Sequence, residues 1–347
     1  MRALRSALGI AIALLLAACA SAPETQPVTT APPPTPAVSV TEGLERYMAQ
    51  RARVEAVGFR LRKAAARDCA KQETTKPDLG LIVWSLANFP SAEDRAHLQS
   101  SFGLTDSVTV ALAVENAPAA AAGLKVGAII THVNDVAVQE GKGATERFIA
   151  LSNAAARLGP VRLHLANGSD VTLRPITVCE FPTLLVRSPE VNAAADGRIL
   201  AITSGLFEMT HSDDELALIL GHELAHNVLG HMQKAAVADR KSGGILDAFV
   251  RATIGTAVAS ATTPPFSIEF EKEADYAGLY FMARAGYDIT AAEAFWRRLN
   301  ETLRATSVAR THPSGPERLK AIEMTTAEIK AKQKAKKPLE PDLKPRR

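Results

Sequence analysis

The segment His222-Glu223-Leu224-Ala225-His226 constrains this chain more than any other feature of its sequence. In an α-helix, two histidines four residues apart lie one turn apart on the same face, close enough to bind one metal ion. The glutamate beside the first histidine can then act as a base toward a water molecule. Ser212 and Glu215 form a predicted capping box that begins this helix.

A second predicted helix supplies a third ligand, because a catalytic zinc site needs three protein ligands and one open position. Glu271 and Asp275 lie one turn apart on it. We predict Glu271 as the ligand and Asp275 as the acceptor of a hydrogen bond from the distal nitrogen of a ligating histidine, which fixes that histidine's tautomer. A motif of this kind on its own also occurs by chance. Two helices that each carry half of a site favour one Zn²⁺ per chain.

The N-terminus predicts export. Arg2 and Arg5 precede an apolar stretch at residues 8–17 that is too short to span a membrane permanently. The following Leu16-Ala17-Ala18-Cys19 resembles a bacterial lipobox, whose cysteine becomes the lipidated first residue. We therefore predict a lipoprotein signal peptide at residues 1–18 and lipidation at Cys19, with an ordinary signal peptide as the alternative. No aspartate follows the cysteine, and the resemblance then implies a periplasm-facing anchor in the outer membrane.

Composition marks two further segments as non-globular. Residues 19–43 are rich in proline and threonine and predict an extended tether. Residues 326–347 predict a basic, disordered tail, in which eight lysines or arginines from residue 330 onward face only two acidic residues. Aromatic residues are few and none is interleaved with a basic patch, which excludes a recognisable nucleic-acid module. The apolar segment 243–262 favours an amphipathic helix or a flap near the active cleft, rather than one that dips into a membrane.

The two remaining cysteines, Cys69 and Cys179, are predicted to form a disulfide, since an exported chain meets an oxidising compartment. Two buried free thiols are the alternative, because sequence alone does not give the geometry that a disulfide requires.

Residues 105–175 resemble a PDZ domain. A predicted strand at 108–114 leads into a turn with the pattern Pro118-Ala119 to Ile130, followed by Val133-Asn134-Asp135, and Asn167-Gly168 predicts a β-hairpin. The pattern departs from the family at Ala128 and Asp135, where Asp and Gly are usual. The candidate carboxylate-binding loop is Phe102-Gly103-Leu104. The resemblance implies capture of extended peptide ends at a sheet edge. A β-rich insert that only packs on its neighbour is the alternative.

Three motifs in order resemble the HtpX/BepA/CaaX-endopeptidase-like gluzincin zinc metallopeptidases. They are His222-Glu223-x-x-His226, Glu271-x-x-Ala274-Asp275, and His312-Pro313-Ser314 with Glu317-Arg318. The resemblance covers residues 44–104 and 176–325. It implies an α+β fold, with a mainly helical zincin-type peptidase domain, a small sheet and the inserted β-rich PDZ-like domain. It also implies His222, His226 and Glu271 as zinc ligands, Glu223 as catalytic base, and His312 and Arg318 near the cleft.

These observations predict a zinc-dependent endopeptidase of the bacterial cell envelope that hydrolyses misfolded or unassembled proteins. In this mechanism, His312 stabilises the oxyanion and Asp275 supports the catalytic site. The predicted partners are extended or unfolded polypeptides and, through Cys19, a membrane, with no nucleic acid. The alternative is a chaperone-like or peptide-binding lipoprotein with a latent zinc site. Three ligands with an adjacent glutamate favour catalysis, because a structural zinc site would have four protein ligands.

Overall fold

The computed structural model describes residues 40–235, 267–306 and 316–342. Within them the fold is α+β, as predicted, with helices packed against several small sheets. The predicted signal peptide, Cys19, nearly all of the tether, the segment 243–262 and His312 lie outside the described residues. None of the described helices is both long enough and apolar enough to cross a membrane.

Ten α-helices are described in the three ranges. They are α1 (Val40–Ala64), α2 (Ala66–Ala70), α3 (Ala92–Phe102), α4 (Pro118–Ala121), α5 (Ala144–Leu158), α6 (Ser204–Glu208), α7 (Asp213–Val228), α8 (Ile268–Arg284), α9 (Ala291–Thr306) and α10 (Pro316–Lys334).

Eleven β-strands are described in the same ranges. They are β1 (Thr75–Asp78), β2 (Leu81–Trp84), β3 (Thr109–Ala113), β4 (Ile130–Val133), β5 (Val136–Ala137), β6 (Val161–Leu165), β7 (Asp170–Leu173), β8 (Ile176–Cys179), β9 (Thr183–Val186), β10 (Ala193–Ala195) and β11 (Leu200–Thr203).

The largest hydrophobic core surrounds α7. Side chains from α1, α8, α9, α10 and the sheet β10–β11–β9 pack around this helix. Every residue of α7 from Glu215 to Val228 is buried, so apolar residues cover all of its faces. Ser212 caps its first turn by accepting a hydrogen bond from the Glu215 backbone, as predicted, while the Glu215 side chain accepts one from the His211 backbone. The helix that carries the H-E-x-x-H motif is therefore held rigidly.

A second core belongs to the insert, which is larger than residues 105–175. Strand β2 pairs antiparallel with β3, and Leu79, Leu81 and Val83 pack on the same core as Val110 and Leu163. A four-stranded sheet, β5–β4–β6–β7, and helix α5 complete the module, including the predicted hairpin at Asn167-Gly168. The boundary predicted at residue 105 is wrong, because β2 finds its partner across a long connection that contains α3.

The insert leaves and re-enters the peptidase core through one antiparallel pair, β1 with β8. A disulfide joins Cys69 and Cys179 beside that pair, as predicted. Both sulfur-bearing residues are fully buried. The two connections to the insert are therefore fixed at a single point.

The prediction of a disordered tail from residue 326 is wrong for most of that segment. Helix α10 continues to Lys334, with Ile329 fully buried, and Leu339 packs against the main core. Glu328 accepts hydrogen bonds from Tyr276 at 3.0 Å and Tyr280 at 2.6 Å. The count of lysines hid these contacts, since basic residues alternate with the buried ones along one helix face.

Candidate metal centre

Helices α7 and α8 approach closely at two glycines. A Cβ atom added to Gly278 would lie 3.0 Å from the backbone C and O of Gly221 and from the backbone N of His222. A Cβ atom added to Gly221 would lie 3.2 Å from the Gly278 carbonyl oxygen. The absence of side chains at this crossing lets the two backbones pack together. It brings the histidines of one helix against the carboxylates of the other.

Three side chains converge where the helices meet. The Nε2 atoms of His222 and His226 lie 3.0 Å apart, and each lies 3.4 Å from a carboxylate oxygen of Glu271. All three residues are buried. Within the described ranges, these three form the one group of histidine, cysteine or acidic residues arranged to hold a metal ion. The structure thus brings together the three residues that the sequence predicts as ligands.

The spacing of these donor atoms fits a tetrahedral zinc ion. Zinc–nitrogen and zinc–carboxylate bonds of about 2.0–2.2 Å place neighbouring ligand atoms roughly 3.3–3.5 Å apart. The observed separations of 3.0, 3.4 and 3.4 Å lie close to that value. Imidazole and carboxylate groups are also the ligands that catalytic zinc sites use.

A network behind His222 fixes that ring. Its Nδ1 atom lies 2.9 Å from Asp275 Oδ1, the contact predicted for Asp275. Arg318 donates two hydrogen bonds of 2.7 Å to the Asp275 carboxylate, and its guanidinium lies 3.6 Å from the centre of the Trp296 ring. Arg318 is thus buried behind the ligands, and it acts on the centre through Asp275. Trp296 carries no signal in the sequence that would have identified it.

The charges in this network are strongly coupled. Burial alone would raise the pKa of Asp275, but Arg318 and the hydrogen bond with His222 lower it below its usual value. Burial alone would lower the pKa of His222, but its hydrogen bonds with Asp275 and Glu271 outweigh burial and raise the pKa to about 10. The metal-free pocket therefore favours a proton on His222, which a metal ion must displace because it binds neutral imidazole.

His231 is a site residue that the sequence did not predict. It is fully buried, and its Nδ1 lies 3.0 Å from Nδ1 of His226. Continued helical geometry would point it away from the ligands, but α7 ends at Val228 and Gly230 adopts φ +65°. The left-handed glycine turns the chain so that His231 returns to the metal centre. A glycine just after a helical pattern is the signal that could have revealed this change of direction.

Glu223 lies on α7 beside His222 and is 1% exposed. Its position is that of the predicted base. Phe102-Gly103-Leu104, the predicted carboxylate-binding loop, is instead the end of α3, where Gly103 adopts φ +61° as the C-terminal cap.

Comparison with known proteins identifies the domain that holds this centre. Residues 155–326 match the model of Peptidase family M48. The chain carries an M48 peptidase domain. The matched segment contains α7, α8 and all three converging ligands, and the M48 domain is a metalloprotease domain.

Named relatives of the M48 domain are metalloproteases. Mitochondrial metalloendopeptidase OMA1 of Schizosaccharomyces pombe is 31% identical over 159 residues, which are 43% of this chain and 47% of the relative. The beta-barrel assembly-enhancing protease of Escherichia coli K12 is 28% identical over 160 residues, 40% of this chain and 33% of the relative. Metalloprotease LoiP of the same strain is 26% identical over 205 residues, 56% of this chain and 79% of the relative. The chain thus spans less than half the length of the first two relatives.

Proposed function

We propose that this protein is a zinc-dependent endopeptidase of the bacterial cell envelope. The observation that carries the proposal is the convergence of His222, His226 and Glu271 within 3.4 Å on two adjoining helices. No fourth residue within the described ranges joins them as a possible ligand. Three protein ligands with an open position are typical of catalytic zinc, whereas structural sites have four.

The residues of the centre support hydrolysis of a peptide bond. His222, His226 and Glu271 would hold zinc, which when bound supplies a Lewis acid for the scissile carbonyl and lowers the pKa of water. Glu223 accepts the proton of the attacking water and passes it to the leaving amine. Asp275 and Arg318 hold His222 in the tautomer that leaves Nε2 available. We assign to His312 a hydrogen bond to the developing oxyanion.

The setting of the enzyme follows from the sequence and from two relatives. The lipobox-like segment ending at Cys19 supports a lipid anchor facing the periplasm, in the outer membrane. Two bacterial relatives are named as a beta-barrel assembly-enhancing protease and as metalloprotease LoiP. We propose misfolded or unassembled envelope proteins in extended form as substrates. No part of this proposal requires nucleic acid.

Removing the metal tests the proposal directly. Purified protein is expected to contain one zinc per chain and to cleave casein, an unfolded test protein. Dialysis against a chelator is expected to reduce cleavage to background, because Glu223 alone is too weak a catalyst, and one equivalent of zinc is expected to restore it. Zinc content is measured by mass spectrometry and cleavage by release of fluorescent fragments. Cleavage that persists after complete zinc removal would contradict the proposal.

A cleft in the insert favours peptide binding as a second candidate function. The cleft has a volume of about 340 Å³ and lies between β2, helix α5 and helix α1. Residues 79–83 form one wall, and in the described part of the chain β2 pairs only with β3, so its other edge has open backbone groups. An extended peptide can add to such an edge as a further strand. Ile149, 49% exposed, offers an apolar contact on the opposite wall.

The charges of the cleft favour an acidic ligand group. Arg51, Arg62 and Lys76 line it together with Glu55 and Asp78. Burial raises the pKa of Glu55, although Thr183 donates a hydrogen bond of 2.7 Å to it. Arg62 is 4% exposed and pairs with Asp78 at 2.8 Å, while its buried Nε has no hydrogen-bond partner among the described residues. We propose that the carboxyl terminus of an extended peptide binds here.

Substitution on the cleft wall distinguishes this binding from hydrolysis. Ile149→Asp is expected to weaken binding of a fluorescent peptide with a free carboxyl terminus about tenfold, because it places a charge against the apolar wall. The binding is measured by anisotropy in a Glu223→Gln background. Leu158→Asp is the control, since Leu158 lies on the same helix, is 92% exposed and does not line the cleft. Equal binding by both variants would refute the assignment, and equal binding of an amidated peptide would refute the role of the carboxylate.

A further inference from the structure

The two ligating histidines both contact helix α8 by a second route. Helix α8 carries Glu271, the third ligand, and also Asp275, which contacts His222 directly at 2.9 Å. It carries Glu273 as well, whose Oε2 lies 3.2 Å from Nε2 of His231. His231 in turn contacts His226. Each histidine is therefore connected to a carboxylate of the same helix, directly for His222 and through one imidazole for His226.

The contacts of His226 define where its proton lies. Its Nε2 faces His222 and Glu271, so Nε2 must keep its lone pair in order to ligate a metal. A neutral imidazole has one N–H, which is then at Nδ1. That N–H faces Nδ1 of His231 at 3.0 Å, so His231 must accept there. The remaining proton of His231 lies at Nε2 and is donated to Glu273. All of these hydrogen bonds run in one direction, from His226 to Glu273.

The middle member of this chain has little freedom to turn. His231 is fully buried, and the Phe270 ring stacks on it with a centroid distance of 4.4 Å and an interplanar angle of 14°. Phe270 precedes Glu271 on α8. The helix that supplies the third ligand therefore also fixes the plane of His231 and the acceptor at its far nitrogen.

We propose that His231 is a positioning residue for the metal centre, which together with Glu273 fixes the tautomer and the ring orientation of His226. The inference rests on the proposed metal site but not on peptide hydrolysis. Partners that hold a ligating histidine in this way typically contribute 10–100-fold to metal affinity. The role belongs to the chain Nδ1–H of His226, His231 and Glu273, and not to a fourth metal ligand.

Zinc affinity in the full-length protein tests the proposal without reference to activity. His231→Phe keeps an aromatic ring against Phe270 but removes the acceptor, and it is expected to raise the zinc Kd 10–100-fold in competition with a chromophoric chelator. His231→Gln retains an acceptor oxygen and is expected to recover at least part of that loss. Glu273→Ala is expected to raise the Kd about three- to tenfold. Glu293→Ala, an exposed carboxylate on the neighbouring helix α9, is the control and is expected to leave the Kd unchanged.

A second readout separates positioning from simple packing. If His231 only fills space, then His231→Phe and His231→Gln will change the melting temperature of the metal-free protein, and their zinc affinities will follow that change. If it positions His226, the two variants will differ in zinc affinity by more than their metal-free stabilities account for. A Kd within twofold of the unsubstituted protein for His231→Phe would overturn the inference. Loss of hydrolysis with unchanged zinc affinity would instead count against the proposed function alone.

Discussion

Glu223→Gln is expected to lower kcat for casein cleavage by about 10²–10⁴-fold while zinc remains bound at one per chain. Glutamine has nearly the same shape as glutamate but cannot accept the proton of the attacking water. The ligands His222, His226 and Glu271 are unchanged, so the metal content should not fall. Initial rates and zinc content measured on the same preparation check both halves of this expectation.

Glu208→Gln provides the matched control, because it makes the same chemical change at an exposed position on α6. Its rate should equal that of the unsubstituted enzyme. Retention of more than a tenth of the activity by Glu223→Gln would assign the base to another residue. In cells, Glu223→Gln should fail to complement a strain that lacks the gene. Full complementation would favour the peptide-binding alternative over hydrolysis.

Gly278→Val is expected to lower the free energy of unfolding by about 3 kcal/mol, at the upper end of the usual cost of overpacking. The first carbon of the new side chain would lie 3.0 Å from backbone atoms of Gly221 and His222, which cannot rotate away as a side chain can. Helices α7 and α8 must therefore separate, and His222 must move away from Glu271. Zinc affinity should fall by more than 10²-fold as a result. Urea unfolding and zinc titration provide the two measurements.

Gly43→Val is the comparison for that substitution. Gly43 also lies within a helix, α1, but a Cβ atom there would meet nothing within 4 Å. Its effect on stability should be close to zero, since valine is slightly better than glycine in a helix interior. If the two variants were equally stable and bound zinc equally well, the close crossing of α7 and α8 would not determine the geometry of the centre.

The metal centre could be predicted from the sequence because its parts are local. Spacings of four residues in His222–His226 and Glu271–Asp275 need only helical geometry to place each pair on one face. His231 could not be found in the same way, because its position depends on the turn at Gly230. The extent of the insert was equally hidden, since β2 alone gives no sign that it pairs with β3. The same holds for α10, whose buried Ile329 lies among lysines.

The disulfide at the base of the insert has a consequence for how damage to this protein would be seen. Cys69 and Cys179 are 110 residues apart in sequence, and the insert lies between them. A single nick in that stretch, whether from another protease or from a neighbouring copy of the enzyme, leaves both pieces covalently joined. The clipped molecule keeps its mass on a non-reducing gel and separates only after a thiol is added. The peptidase half can thus outlast cleavage of the insert without losing its N-terminal helix.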